Sequence, residues 1–132
     1  RHCMALAMYW EARGEGVVGM QAVGGVVLNR VEDQRFPGSA CAVVKQGGER
    51  PPCQFSWWCD GQSDKPVNQK AWDRSLRLAR KIYLGTLKDT TDGALWYHAN
   101  YVKPYWSDLL LQGDRIGQHI FYLENRQSGK TM

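Results

Sequence analysis

The sequence predicts an α+β fold, with helices in the first two-thirds of the chain and short strands near its C-terminus. Two observations predict the helices: the apolar segments "CMALAM" and Val17 to Val31 near the N-terminus, and an amphipathic segment between Asn68 and Gly85. The third observation is a pair of late aromatic and β-branched runs, "GALWYHA" and "RIGQHIFYL". With 132 residues, 43% of them hydrophobic, we expect one domain over residues 1–132, with a frayed tail from about residue 124.

The first predicted helix contains "CMALAM" and leads into "YWEARGEG". Met4, Ala7 and Met8 precede Glu11 by seven, four and three positions, so a helix places all four on one face. That face carries no charge before Glu11. A carboxyl group there is desolvated or opens onto a cleft, and both situations raise the pKa of a glutamate. Glu11 is therefore the candidate acid of an active site.

The second predicted helix, Val17 to Val31, is apolar nearly all round and is therefore central to the core. Gly24 and Gly25 inside it predict close approach of another helix. After a loop, Ser39 is the expected N-cap of a short third helix, "ACAVVKQ".

The fourth predicted helix starts after the cap Asn68 and runs to Gly85. We expect its buried stripe to consist of Trp72, Leu76, Ala79 and Tyr83. The preceding "CQFSWWCDG" has the composition of a strand or strand-like loop, and each of the two late aromatic runs is expected to be one strand.

Four cysteines in a small chain favour two disulfides and an oxidising compartment. The expected pairs are Cys53–Cys59, which flanks "QFSWW", and Cys3–Cys41, although the sequence permits three pairings. A zinc site is the rival interpretation, but the chain lacks C-x-x-C and paired histidines at ligand spacing. We expect no metal and no cofactor.

The net charge of +4 and the pI near 9.0 fit an anionic partner, for which nucleic acid, a membrane surface and an acidic cell-wall polymer are candidates. The basic residues are scattered and form no recognisable nucleic-acid module. No apolar run approaches the roughly 20 residues that span a bilayer. We therefore expect neither a nucleic-acid partner nor membrane insertion, and a monomer.

Six tryptophans and six tyrosines include clusters outside the helical stripes, near polar residues such as Gln54, Ser56, His98 and Asn100. Exposed aromatic rings stack on sugar rings, so this grouping favours a lined groove over simple core filling. No nucleophile motif accompanies His98 or His119, and His119 is interpreted as a structural hydrogen-bonding residue.

"ALAMYWEARGEGVVGMQAVGGVVLNRV", "FPGSACAVVKQ", "CQFSWWCDG", "GALWYHANYVKPYW" and "GDRIGQHIFY" resemble the cell-wall hydrolase family of the SleB/CwlJ type, over about Cys3 to Tyr122. The Trp57-Trp58 pair and the cysteines are closer to its Gram-negative and phage branch. The resemblance implies a lysozyme-like helical domain with a small antiparallel sheet beside the substrate groove. It also implies cleavage of peptidoglycan glycan strands between N-acetylmuramic acid and N-acetylglucosamine, with a periplasmic, extracellular or phage-delivered location.

The resemblance places the catalytic glutamate at Glu11, and Glu15 is expected to support it through Arg13 or backbone N–H groups. The expected substrate-binding residues are those of the Q-F-S motif and of the aromatic segments: Gln54, Phe55, Ser56, Trp58, Tyr97, His98 and Asn100.

The mechanism implied by the resemblance is that of a lytic transglycosylase, in which one carboxyl acts as acid and then as base and leaves a 1,6-anhydro-muramyl end. Three rivals stay open: hydrolysis by a second carboxylate, Glu15 or Asp60; a non-catalytic peptidoglycan-binding module; and an amidase, for which no metal site or nucleophile is found in the sequence.

Overall fold

The computed structural model describes residues 2–46, 55, 57, 61 and 63–124. Within these residues four α-helices precede a three-stranded antiparallel sheet of order β1-β3-β2. The helices are α1 (His2–Ala12), α2 (Gly16–Glu32), α3 (Ala40–Val44) and α4 (Gln69–Tyr83). The strands are β1 (Trp96–Ala99), β2 (Leu111–Ile116) and β3 (His119–Leu123). The predicted α+β class is confirmed, and the predicted frayed tail lies almost wholly outside the described residues.

Helix α1 is buried nearly all round, because it packs against α2, α3 and α4. Met4, Ala7 and Met8 are fully buried, which confirms that the face leading to Glu11 belongs to the core. The helix ends at Ala12, where Arg13–Glu15 form a 3-10 turn and Gly16 takes a φ of 70°. This break separates Glu11 from α2.

Helix α2 crosses the centre of the core, as its apolar sequence predicts. A Cβ on Gly24 would lie 2.6 Å from Ile82 Cδ1 of α4 and 2.9 Å from Met8 Sδ of α1, so this glycine permits close helix packing. Gly25 has a different neighbour: its missing side chain makes room for Asp89, in the segment after α4. The prediction of helix packing is therefore confirmed at Gly24 and wrong at Gly25.

The predicted caps of α3 and α4 are confirmed. Ser39 Oγ accepts a hydrogen bond from the Ala42 N–H (3.2 Å), and Asn68 Oδ1 accepts one from the Ala71 N–H (3.0 Å). The disulfide between Cys3 and Cys41 joins α1 to α3 with a Cα–Cα distance of 4.9 Å, which confirms that pairing. The predicted pair Cys53–Cys59 lies outside the described residues.

The predicted buried stripe of α4 is wrong by about one position. The buried residues are Ala71, Ser75, Leu78, Ala79 and Ile82. Of the expected stripe only Ala79 is buried; Trp72 is partly buried, and Leu76 and Tyr83 are 37% and 39% exposed. The small side chains of Ala71, Ser75 and Ala79 let α4 approach α1 and α2 closely. The helix therefore turns its small residues to the core and leaves the larger Leu76 and Tyr83 partly exposed.

The run "RIGQHIFYL", expected to be one strand, instead contains the end of β2, the turn of a β-hairpin and all of β3. Strand β2 ends at Ile116, Gly117 takes a φ of 60°, and β3 begins at His119. Strand β1 pairs with β3 so that Tyr97 lies opposite Phe121. A small second core of Ala22, Val26, Ala94 and Phe121 then attaches the sheet to α2.

Candidate active site

A cavity of about 840 Å³ lies between the end of α1 and the sheet. Its described walls are mainly aromatic and aliphatic, with two histidines, one acidic residue and one arginine. The lining residues are Trp10, Glu11, Arg30, Phe55, Trp96, Tyr97, His98, Ala99, Tyr101, Val102, Trp106, Leu109, Leu110 and His119. Apolar walls with a few convergent polar groups are typical of a ligand-binding site.

Glu11 lies in the last turn of α1, at the point where the buried face of the helix meets the cavity. Burial raises the pKa of its carboxyl group above the ordinary value of 4.5. The hydroxyl of Tyr97 donates a 2.6 Å hydrogen bond to Glu11 Oε1, which opposes that rise in pKa. The positive charge of Arg30, and that of His119 when its ring is protonated, opposes the rise further without reversing it. The carboxyl group is therefore suited to hold a proton and to donate it.

Tyr97 is a predicted substrate-binding residue of the aromatic segment, and the structure shows that its hydroxyl is also a hydrogen-bond donor to Glu11. Strand β1 carries the residue, and its ring lies 5.2 Å from the His119 ring and 5.5 Å from the Phe121 ring between centroids. Burial and the adjacent carboxyl raise the pKa of the Tyr97 hydroxyl well above its usual range, so the group stays protonated as a donor.

Arg30, at the C-terminal end of α2, is a site residue to which the sequence interpretation gave no role. It is 4% exposed, and its Nε donates a 2.7 Å hydrogen bond to the carbonyl of Leu95. Its guanidinium carbon lies 5.0 Å from the centre of the Phe36 ring and 5.7 Å from that of Phe55. The available signal was an arginine in the last turn of a largely apolar core helix, within "LNRV".

Glu15 turns toward the β2–β3 hairpin. Its Oε1 accepts a 3.0 Å hydrogen bond from the Gln118 N–H, and its Oε2 lies 3.0 Å from His119 Nδ1. The predicted backbone N–H contact is present, whereas the alternative partner, Arg13, donates to the Tyr9 hydroxyl at 2.8 Å. Arg13 also lies over the Tyr9 and Trp10 rings, 5.1 and 5.0 Å from their centres.

The profile of the family described as Cell Wall Hydrolase matches residues 14–122. The chain belongs to the cell wall hydrolase family. The matched region begins three residues after Glu11 and includes Glu15, Arg30, Tyr97 and His119.

Spore cortex-lytic enzymes are among the relatives of this cell wall hydrolase. Those of Halalkalibacterium halodurans and Bacillus subtilis are 34% and 32% identical over 121 residues, which is 89% of this chain and 33% and 35% of theirs. The Bacillus cereus enzyme is 33% identical over the same length, 42% of its own. The chain thus spans about a third to two-fifths of the length of these relatives.

Two solved structures share the fold of this cell wall hydrolase. One is the catalytic domain of the germination-specific lytic transglycosylase SleB from Bacillus anthracis, with a TM-score of 0.70, 32% identity and 92% of each chain covered. The other is the catalytic domain of the Bacillus cereus SleB protein, with a TM-score of 0.68, 32% identity and coverage of 92% of this chain and 88% of that one. The expected SleB-type fold is therefore confirmed.

The remaining predicted substrate-binding residues of the hydrolase differ in their positions. Phe55 is 2% exposed and lines the cavity, and His98 lines it from β1. Asn100 is exposed in the turn after β1 and is not among the residues that line the cavity. Gln54, Ser56, Trp58 and Asp60 lie outside the described residues. The structure therefore places Phe55, Tyr97 and His98 at one site and Asn100 outside it.

The described part of the hydrolase contains no group of three or more His, Cys, Asp or Glu side chains arranged to hold a metal ion. In the same ranges, no helix has both the length and the apolar character needed to cross a membrane.

Proposed function

We propose that this chain cleaves the glycan strands of peptidoglycan between N-acetylmuramic acid and N-acetylglucosamine, with Glu11 as the sole catalytic carboxyl group. The observation that carries the proposal is a glutamate of raised pKa in the wall of a large aromatic cavity. Membership of the cell wall hydrolase family and likeness to the catalytic domain of a lytic transglycosylase support the same substrate and bond.

In the first step, Glu11 donates its proton to the glycosidic oxygen that leaves with N-acetylglucosamine. The bond from that oxygen to C1 of the muramic residue breaks, and C1 develops oxocarbenium character. As Glu11 becomes a carboxylate, the hydrogen bond from Tyr97 and the positive charge of Arg30 stabilise its new negative charge.

In the second step, the Glu11 carboxylate takes the proton from the 6-hydroxyl of the same muramic residue, and that oxygen bonds to C1. The product is a 1,6-anhydro-muramyl end, and Glu11 regains its proton. The tethered hydroxyl reacts at a much higher effective concentration than free water, so no second carboxylate is required.

Hydrolysis is the rival reaction, and it depends on a second carboxylate at about 5–5.5 Å or 6.5–9.5 Å from the acid. Glu15 is the nearest candidate in sequence, but it is bound to the Gln118 N–H and to His119. These contacts favour a supporting role for Glu15 and therefore favour the anhydro product.

Mass spectrometry of digested peptidoglycan tests the reaction, because anhydro and reducing ends differ by one water. We expect anhydro-muropeptides from the wild type and none from Glu11→Gln, which should still bind glycan strands. Mainly reducing muropeptides would make the protein a lysozyme. A wild type that binds but never cleaves would be a binding module.

A periplasmic, extracellular or phage-delivered location belongs to the same proposal, since peptidoglycan lies outside the cytoplasm. The Cys3–Cys41 disulfide supports it, because such bonds persist in oxidising compartments. Action as a monomer, without nucleic acid, membrane insertion or cofactor, completes the proposal.

A further inference from the structure

The two histidines of the cavity differ in how their ring nitrogens are used. In His98, Nδ1 lies 2.7 Å from the carbonyl oxygen of Ala99 and Nε2 lies 2.9 Å from the Tyr122 hydroxyl. In His119, Nδ1 lies 3.0 and 3.3 Å from the two oxygens of Glu15. Nε2 of His119 has no hydrogen-bond partner among the described residues, and it is not sealed from solvent. Since the ring borders the cavity, that nitrogen is available to a bound molecule.

The orientation of His119 is set by Glu15, whose own position is tightly defined. The Gln118 N–H donates to Glu15 Oε1, and glycines lie on both sides of the side chain. A Cβ on Gly19 would lie 2.5 Å from the Glu15 Cβ, and a Cβ on Gly117 would collide with the carboxylate. The carboxylate therefore occupies a space that α2 and the hairpin leave for it.

The Glu15 carboxylate favours the form of His119 that carries a proton on Nδ1. In the neutral imidazole this leaves a lone pair on Nε2, which then accepts hydrogen bonds. Among the other polar groups that line the cavity, Arg30 has only N–H donors, and the Tyr97 hydroxyl and both nitrogens of His98 already contact the protein. An amino sugar presents hydroxyl and amide N–H donors that need acceptors in such a cavity.

His119 also lies close to the reacting group. Its ring makes a T-shaped contact with the Tyr97 ring at 5.2 Å between centroids, and the Tyr97 hydroxyl binds Glu11. His119, Tyr97 and Glu11 thus follow one another along one wall, next to the position of the bond to be broken.

We propose that His119 contacts the substrate: its Nε2 accepts a hydrogen bond from a hydroxyl or amide N–H of the amino sugar beside the scissile bond, and Glu15 is its positioning residue. This inference rests on the proposed function and adds to it a contact on the sugar, separate from the proton transfer by Glu11.

Two substitutions distinguish the two ring nitrogens. The amide nitrogen of His119→Asn replaces Nδ1 and keeps the contact with Glu15, but nothing replaces Nε2. His119→Gln reaches the position of Nε2 and loses the Nδ1 contact.

We expect His119→Asn to keep a wild-type melting temperature and to lower kcat/KM about tenfold. His119→Gln should recover part of kcat/KM despite a lower melting temperature. A wild-type kcat/KM in His119→Asn would overturn the inference. So would a kcat/KM in His119→Gln that is no higher than in His119→Asn once its lower melting temperature is taken into account.

Glu15→Gln tests the positioning role. Its amide still offers one oxygen to His119 or to the Gln118 N–H, so activity should be reduced but measurable, with a larger change in KM than in kcat. A loss as complete as that of Glu11→Gln would instead make Glu15 a second catalytic carboxylate.

A binding measurement separates this inference from the proposed reaction. Glu11→Gln and Glu11→Gln/His119→Asn are titrated with a tetrasaccharide of alternating N-acetylglucosamine and N-acetylmuramic acid. We expect about tenfold weaker binding by the double variant. Equal binding overturns the role of His119 while the cleavage by the wild type still stands. A wild type that neither cleaves nor binds glycan overturns both proposals.

Discussion

At the scale of single residues, the site depends on a carboxyl group whose surroundings oppose its ionisation. Burial at the end of α1 raises the pKa of Glu11, and the Tyr97 hydroxyl and the charge of Arg30 oppose this rise only in part. The protonated acid is the form that starts the proposed reaction. The same surroundings penalise the carboxylate in the folded state at neutral pH, so function and stability conflict at this residue.

Glu11→Gln should therefore stabilise the protein at neutral pH. The raised pKa means that the stabilising contribution of the protonated carboxyl is complete below the unfolded pKa, about 4.5, and is lost as pH rises through the folded pKa. Glutamine does not ionise and can still accept the Tyr97 hydrogen bond. Thermal melts at pH 8 should show a higher melting temperature for the variant, and the difference should shrink toward pH 4. A constant difference over this range would contradict the raised pKa.

Tyr97→Phe removes the hydroxyl that stabilises the Glu11 carboxylate. The pKa of Glu11 should rise further, so the basic limb of the kcat/KM profile should move to higher pH. Losing a hydrogen bond to a charged group, worth about 1.5–3 kcal/mol, should lower kcat by about ten- to a hundredfold. Phe121→Leu, which alters the packing of the same ring without changing its hydroxyl, is the control and should leave the basic limb in place.

At the scale of helices and strands, each side of the cavity is held by contacts away from it. The Cys3–Cys41 disulfide joins α1 to α3 near the start of α1, eight residues before Glu11. At the other end of α1, the Tyr9 hydroxyl accepts hydrogen bonds from the Val67 and Asn68 N–H groups at 2.9 and 2.8 Å. Helix α1 is thus attached to α3 at one end and to the start of α4 at the other, and Glu11 follows the second attachment.

Removing the disulfide should lower stability more than activity. Replacing Cys3 and Cys41 together by alanine should lower the free energy of unfolding by about 2–4 kcal/mol, because the bond constrains the unfolded chain. Activity well below the melting temperature should persist, since Tyr9 still holds the Glu11 end of α1. Denaturant melts and activity assays of the double variant measure the two effects. An unchanged midpoint would contradict a stabilising disulfide.

At the scale of the whole molecule, the site forms where the helices meet the sheet. Helices α1 and α2 contribute Glu11 and Arg30, and strands β1 and β3 contribute Tyr97 and His119. Polar contacts cross this boundary from Tyr97 to Glu11, from the Gln118 N–H to Glu15, and from Arg30 to the carbonyl of Leu95. If this is the active site, we expect activity to depend on how the hairpin docks on the helices.

Gly117→Ala should disturb that docking. Alanine at a φ of 60° costs about 1–2 kcal/mol, and its Cβ would also collide with the Glu15 carboxylate. Gly85→Ala is the matched control, because Gly85 has a φ of 77° and open space around its missing Cβ. Both variants should lose similar backbone stability, whereas only Gly117→Ala should lower kcat/KM. Equal activity of the two variants would show that the hairpin contact does not affect the site.

Much of the helical half could be predicted from its local pattern. The apolar face leading to Glu11 and the caps Ser39 and Asn68 depend on residues near in sequence, and all are confirmed. The close approach at Gly24 is also confirmed, because a glycine inside an apolar helix is a local sign of such packing. The buried stripe of α4 differs from the prediction because small residues, rather than the large apolar ones, form its packed face. The hairpin was missed because its turn, Gly117–Gln118, lies inside an otherwise strand-like run.

The sequence by itself determined the α+β class, the resemblance to cell wall hydrolases and the choice of Glu11, because periodicity, motif order and an apolar helix face are local properties. The tertiary structure decided what surrounds Glu11. The hydrogen bond from Tyr97 joins residues 86 positions apart, and the Glu15–His119 contact joins residues 104 apart. Such pairs depend on how the sheet packs against α2, and that packing is a property of the whole core rather than of any segment. The pKa of Glu11 and the free nitrogen of His119 follow from it.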